Sequence, residues 1–224
     1  MIFTPYSFST LSMFDQCRRK FKYAKIDKAP KSKKDMTPLI KGGAVHSILE
    51  HFPAPSPHKR ANEYQYIVDK FVGSSLGKKY LFTECVSEFN FGLSKILQPC
   101  NYSDKEALFR GKIDHICIID NILHLVDFKS GKYHDEKWQN YDQLLFYAIY
   151  FFISRPEINN IKISYVYIEH SDMENSIILD RKYLKIYAKS LIKIIQAVEK
   201  EEIFPKCISP LCFWCEYKEY CDKN

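Results

Sequence analysis

Two aspartates and a lysine between Gly111 and Gly131, namely Asp114, Asp127 and Lys129, have the types and spacing to hydrolyse a phosphodiester. The segment GKIDHICIIDNILHLVDFKSG reads as two short apolar strands joined at Asp120-Asn121, a pair suited to a two-residue hairpin turn. With Ile119 paired to Ile122, counting outward sets Asp114 directly opposite Asp127, and Lys129 falls on the face of Asp127. Opposed carboxylates on neighbouring strands stand about 4.5–5.5 Å apart at Cβ and repel unless something neutralises them. A hydrated divalent cation would do so, and two carboxylates around a metal beside a lysine is phosphodiester chemistry.

The elements around the hairpin must position these groups. Strict alternation puts Ile116, Ile118, Leu123 and Leu125 on the acidic face and Ile113, Cys117, Ile119, Ile122, Val126 and Phe128 on the other. Strands apolar on both faces lie inside a sheet covered on both sides. Unpaired carboxylates are costly there, so the setting favours a site over a solvated pair.

Ser9 is the expected N-cap of a helix from about Thr10 to Ile26, followed by a mobile basic loop from Lys31 to Pro38. A second helix is expected from near Gly43 to Pro53, weaker helical pattern over 60–80, and a strand from Glu84 to Leu93. After the hairpin come a helix from about Trp138 to Ser154, a strand from Ile161 to Glu169, and Ser176 to Leu179 pairing with it. An amphipathic helix from Lys182 to Glu201 precedes a cysteine-rich tail. This order predicts an α/β fold, a mixed sheet with helices on both faces. The 224 residues suit one domain, 1–224.

Composition narrows the partners. No basic-then-apolar leader opens the chain, and the longest apolar run, Leu144 to Ile153, is roughly half of what spans a bilayer. The expectation is a soluble cytoplasmic protein with no membrane partner. Net charge is +6, but nine basic residues (Arg18, Arg19, Lys20, Lys22, Lys25, Lys28, Lys31, Lys33, Lys34) face only Asp27 between positions 18 and 34. Such a run suits a polyanion track and equally a solvated basic face.

Eight cysteines in an intracellular chain point to metal or cluster ligation more than to disulfides. Cys212-x2-Cys215-x5-Cys221 supplies three ligands and needs a fourth, Cys17 or Cys207. Cys207-x4-Cys212-x2-Cys215 echoes a ferredoxin spacing, and Cys207 with the three tail cysteines could also hold zinc. Gln143 and Tyr147 share one side of a helix, where spacing alone favours Tyr147 as core and Gln143 as solvated. His46 follows Gly42-Gly43, small residues that let a helix start pack closely against another backbone.

In order, Gly42-x3-His46, Gly111-x2-Asp114, Asp127-x-Lys129-x-Gly131 and Gln143-x3-Tyr147 resemble the RecB-like branch of the PD-(D/E)XK nuclease superfamily. The cysteines, with Ser9-x-Leu11 and Cys17-x3-Phe21, resemble its iron–sulfur members, which include CRISPR-associated exonucleases and the AddB nuclease domain. The resemblance covers Ser9 to Cys221; Ile113 stands where the superfamily name has proline.

It implies a restriction-endonuclease-like core with 9–26 and 204–224 forming a cluster-binding region. It implies that His46, Asp114 and Asp127, with the Phe128 carbonyl, ligate Mg²⁺ or Mn²⁺. Lys129 would orient or help deprotonate the attacking water, while Gln143 and Tyr147 position the strand. Cys17, Cys212, Cys215 and Cys221 would hold a [4Fe–4S] cluster. Activity would be that of a DNA exonuclease working on single-stranded or frayed ends, with Arg18, Arg19, Lys20 and Lys22 along the track. The rival expectation is an inactive or partner-dependent nucleic-acid-binding subunit of a recombination or CRISPR adaptation complex. No Gly-x4-Gly-Lys-Ser/Thr loop is present, so any unwinding needs a helicase partner.

Overall fold

The computed structural model describes residues 5–32, 37–133, 135–170 and 173–223. Lys33, Lys34 and the centre of the expected basic loop lie outside them, as does His134. Six strands form one mixed sheet: β1 (Cys85–Ser94), β2 (Pro99–Cys100), β3 (Ala107–Ile119), β4 (Ile122–Lys129), β5 (Asn160–Tyr167) and β6 (Glu174–Asp180), in the order β2-β1-β3-β4-β5-β6. Only the β4–β5 pair is parallel, and parallel neighbours need a crossover. That crossover carries helix α6 (Asp142–Ser154), which starts after a short 3₁₀ turn, Glu136–Trp138.

Helices cover both faces, as expected. Against one lie α1 (Phe8–Gln16), α2 (Arg18–Lys25), α6 and α7 (Leu184–Lys200). Leu11, Phe14, Phe21, Leu144, Ile149 and Leu191 pack there with Phe109, Leu125 and Ile163 of the sheet. Against the other lie α3 (Thr37–His51), α4 (Ala61–Val72) and α5 (Ser75–Leu81), with Ile48, Val68, Phe71 and Tyr80 on Cys117, Val126, Phe128 and Val166.

The hairpin forms as read. Asp120 and Asn121 take φ of 52° and 60°, the left-handed pair that a two-residue turn requires, and Ile119 pairs with Ile122. Two expectations about it are corrected. Ladder pairing stops at His115–Val126, so Asp114 and Asp127 sit where the strands part. Ile113 also packs with the α6 layer, on the same side as Ile116 three residues on. The alternation slips at Asp114, which is skipped in the ladder to β1 between Phe89–Ile113 and Ser87–His115. Its opposite number, Glu88, has φ 55°.

The N-terminal helix is two helices. Ser7, not Ser9, caps α1. The chain then breaks at Cys17 (φ −163°, ψ 112°), whose sulfur accepts the Lys20 N–H at 3.4 Å and caps α2. Helix α3 begins at Thr37, so Gly42 and Gly43 lie inside it. A Cβ on Gly42 would reach only the Ser130 Oγ, at 3.4 Å, so no backbone approach explains the pair. Among the described residues no helix is long and apolar enough to cross a membrane.

The face under α5 buries polar groups. Glu174 accepts from Tyr80 (2.8 Å), Ser164 (2.7 Å) and Lys162 (2.8 Å). Burial would push its carboxyl up, but these partners pull it down to about 2. His115 and His124 are buried, each with one ring nitrogen unpartnered, and burial lowers both to about 4. An unfolded histidine titrates near 6.5, so between about pH 6.5 and 4 the unfolded chain binds more protons. Stability therefore falls with pH across that window, by roughly 2–3 kcal/mol per histidine. Urea midpoints against pH check this, and His124→Phe is expected to flatten the slope by about one proton.

Candidate active site

The carboxyl end of β4 places Asp127 and Lys129 at the opening between β3 and β4, beneath the start of the α6 crossover. Ligands in open α/β sheets gather at such strand ends. Asp127 is 6% exposed. Its Oδ2 stands 2.6 Å from Lys129 Nζ, an ion pair that offsets its charge. Burial and the Asp114 charge push the Asp127 carboxyl up to about 6, against the pull of Lys129 and His46. Lys129 is itself held over the Tyr165 ring, 4.7 Å from its centre.

Asp114 accepts the Phe128 N–H at 2.9 Å, a bond that replaces the missing ladder pair and fixes the carboxylate across the opening. Its Oδ2 lies 3.3 Å from His46 Nδ1 on α3. Burial opposes protonation of His46, but the hydrogen bond and charge of Asp114, with the Asp127 charge, outweigh it and raise its pKa.

One residue was missed by the sequence reading. Glu88 offers an oxygen within 4.8 Å of ligand atoms on both His46 and Asp114, and it is ion-paired with Lys112. The unpaired position shared by Asp114 and Glu88, where Glu88 has φ 55°, turns Glu88 into the site while the register stays the same on either side. The signal was present: apolar positions on β1 run 86, then 89, 91 and 93, so the alternation changes phase around Glu88. His46, Glu88 and Asp114 bring two carboxylates and one imidazole together, a donor set that suits a hard divalent cation, with Asp127 standing outside this trio.

Gln143 and Tyr147 on α6 face this opening. Tyr147 is buried in the core, Gln143 is half-buried, and the Gln143 amide reaches the Tyr147 hydroxyl at 3.5 Å. Burial pushes the Tyr147 phenol up to about 12. Gly111 makes room for it: a Cβ there would come within 2.7 Å of Tyr147 and 2.5 Å of Phe91 ring carbons. Gly131, by contrast, has nothing within 4 Å.

The four basic residues expected along the track also have partners within the fold. Arg18 pairs with Glu201 (3.0 Å), Arg19 Nε donates to the Phe204 carbonyl (2.7 Å), and Lys22 pairs with Asp27 (3.2 Å). Of the four, Lys20 alone borders a groove of about 630 Å³ that also reaches Gln143 and Tyr147.

At the far end of α1, a cavity of about 340 Å³ is lined by Cys17, Cys207, Cys212, Cys215 and Cys221. The break at Cys17 brings the N-terminal thiol to the tail, and Ser209 N–H donates to Cys212 Sγ at 3.4 Å. Tail and α2 are also tied directly, by Arg19 to Phe204, Lys31 to Glu216 and the rings of Tyr23, Tyr217 and Tyr220. Among the described residues no three of these sulfurs lie within 4.8 Å of one another.

The sequence matches the PD-(D/E)XK nuclease superfamily over residues 5–222. This chain belongs to that superfamily. Its fold is similar to the crystal structure of a candidate exonuclease from Eubacterium rectale, at 16% identity and a TM-score of 0.56, covering 94% of this chain and 87% of that one. Another solved structure, that of SSO0001, is 13% identical with a TM-score of 0.35, covering 85% of this chain and 98% of that one, too loose to carry any inference. No curated protein matches the sequence.

Proposed function

We propose that this protein is a metal-dependent DNA exonuclease of the RecB-like, iron–sulfur type that acts on single-stranded or frayed ends. The observation that carries this reading is the buried Asp127 carboxylate, ion-paired with Lys129 and beside the Asp114–His46–Glu88 group. Buried carboxylates at this density are costly to a fold and are retained where chemistry uses them.

His46, Glu88, Asp114 and Asp127, with the Phe128 carbonyl, would hold Mg²⁺ or Mn²⁺, which supplies Lewis acidity toward phosphate and a nucleophilic water near neutral pH. Lys129, fixed between Asp127 and the Tyr165 ring, donates to the attacking water and offsets the charge that grows on phosphorus. Tyr147 stays protonated at neutral pH and, with the Gln143 amide, donates to phosphate or sugar oxygens and holds the strand in line. The Asp114–Phe128 bond keeps the two acid-bearing strands from closing.

The soft thiolates of Cys17, Cys212, Cys215 and Cys221 suit a [4Fe–4S] cluster, which would clasp α1–α2 to the tail. The test of function is cleavage of single-stranded DNA labelled at the 5′ or 3′ end, using anaerobically purified protein with Mg²⁺ or Mn²⁺. Metal-dependent shortening from one end is expected, and the label gives its polarity. Absence of cleavage by a cluster-loaded protein on single-stranded and frayed substrates overturns the reading.

A further inference from the structure

The groove of about 630 Å³ beside the acidic opening is bordered by Arg110, Lys112 and Lys20, and no carboxylate lines it. Lys112 is ion-paired with Glu88, and Lys20 donates to Gln16 at 2.9 Å. Arg110 lies over the ring of Tyr102, 4.9 Å from its centre, and Tyr102 is 37% exposed. The groove runs from Gln143 and Tyr147 along β3 to the exposed hydroxyls of Ser9 and Ser12 on α1.

A positive trough with an exposed aromatic ring is the chemistry of single-strand binding, in which cations follow the phosphates and the ring stacks a base. A guanidinium against the other part of that ring holds it in place and adds cation–π attraction. We propose that this groove is the seat of the single strand flanking the scissile phosphate, with Tyr102 as its base-stacking platform and Arg110 and Lys20 as its phosphate contacts. The substrate class named here rests on the nuclease reading above. Tyr102 and Arg110 lie far in sequence from the basic run at 18–34, and neither belongs to any of the four motifs.

The experiment measures binding of a fluorescent oligodeoxythymidine by anisotropy, in chelator and in an Asp127→Ala background, so that cleavage plays no part. Tyr102→Ala is expected to weaken binding roughly 5- to 100-fold, while Tyr102→Phe, which keeps the ring, binds as the parent does. Arg110→Gln and Lys20→Gln are each expected to lower the slope of log affinity against log salt by about 0.7. Parent-like affinity in Tyr102→Ala, parent-like salt slopes in Arg110→Gln and Lys20→Gln, or tighter binding of the matching duplex than of the single strand, would overturn the proposal. The two readings fail separately. Groove-dependent binding without cleavage by the wild-type protein sinks only the nuclease; cleavage with KM unchanged in Tyr102→Ala and Arg110→Gln sinks only the groove.

Discussion

Lys129→Ala is expected to cut turnover by roughly 10³-fold or more, and Asp127→Asn by at least as much, with binding of single-stranded DNA retained. The two variants differ in stability. Asp127 is a buried acid whose carboxyl is raised to about 6, first by burial and then by Asp114. A raised acid favours the folded state below the unfolded value near 3.9, and that contribution is lost as pH rises through about 6. At pH 7 the ionised Asp127 therefore strains the metal-free protein, and an isosteric amide relieves it. Asp127→Asn is expected to be more stable than wild type by about 1–2 kcal/mol at pH 7 and no more stable at pH 4. Lys129→Ala leaves the buried carboxylate without its cation and is expected to lose stability at pH 7. Urea denaturation in chelator reads these opposite signs, and wild-type turnover in either variant would remove both residues from the active site.

The second large effect concerns the chain ends. Cys17→Ser, Cys212→Ser, Cys215→Ser and Cys221→Ser are each expected to lose iron and visible absorbance on anaerobic purification. Joining residues so far apart in sequence restricts the unfolded chain by about 4–5 kcal/mol on the loop-closure relation for cross-links. Loss of the cluster should lower the urea midpoint accordingly, but not unfold the tail outright, because Arg19–Phe204, Lys31–Glu216 and the Tyr23 ring contacts persist. Cys207→Ser is expected to keep its iron. Cys207 borders the same cavity as Cys17, so the discriminating result is the pair: iron retained in Cys17→Ser and lost in Cys207→Ser would move the fourth ligand to Cys207.

Local chemistry was legible from the residues alone. The turn at Asp120-Asn121, the apolar runs that make β3 and β4, the breaks around α6 and the amphipathic pattern of α7 are encoded within a few positions each, because turns, caps and periodicity are short-range. The motifs from Gly42 to Tyr147 likewise named most of the groups that surround the opening. What depended on tertiary packing was phase and partnership. Glu88 joins His46 and Asp114 where the β1–β3 ladder leaves Glu88 and Asp114 unpaired, and a gap in pairing is a property of two strands together. Arg18 and Arg19 read as part of a track for nucleic acid, and the fold adds a partner for each from far along the chain, Glu201 and Phe204. Cys17 looked like one position on a continuous helix; the break that turns its sulfur to the tail cavity appears only once Phe14 and Phe21 are both packed into the core. Charge pairing and register are settled by what folds opposite, and no single stretch of sequence contains its own opposite.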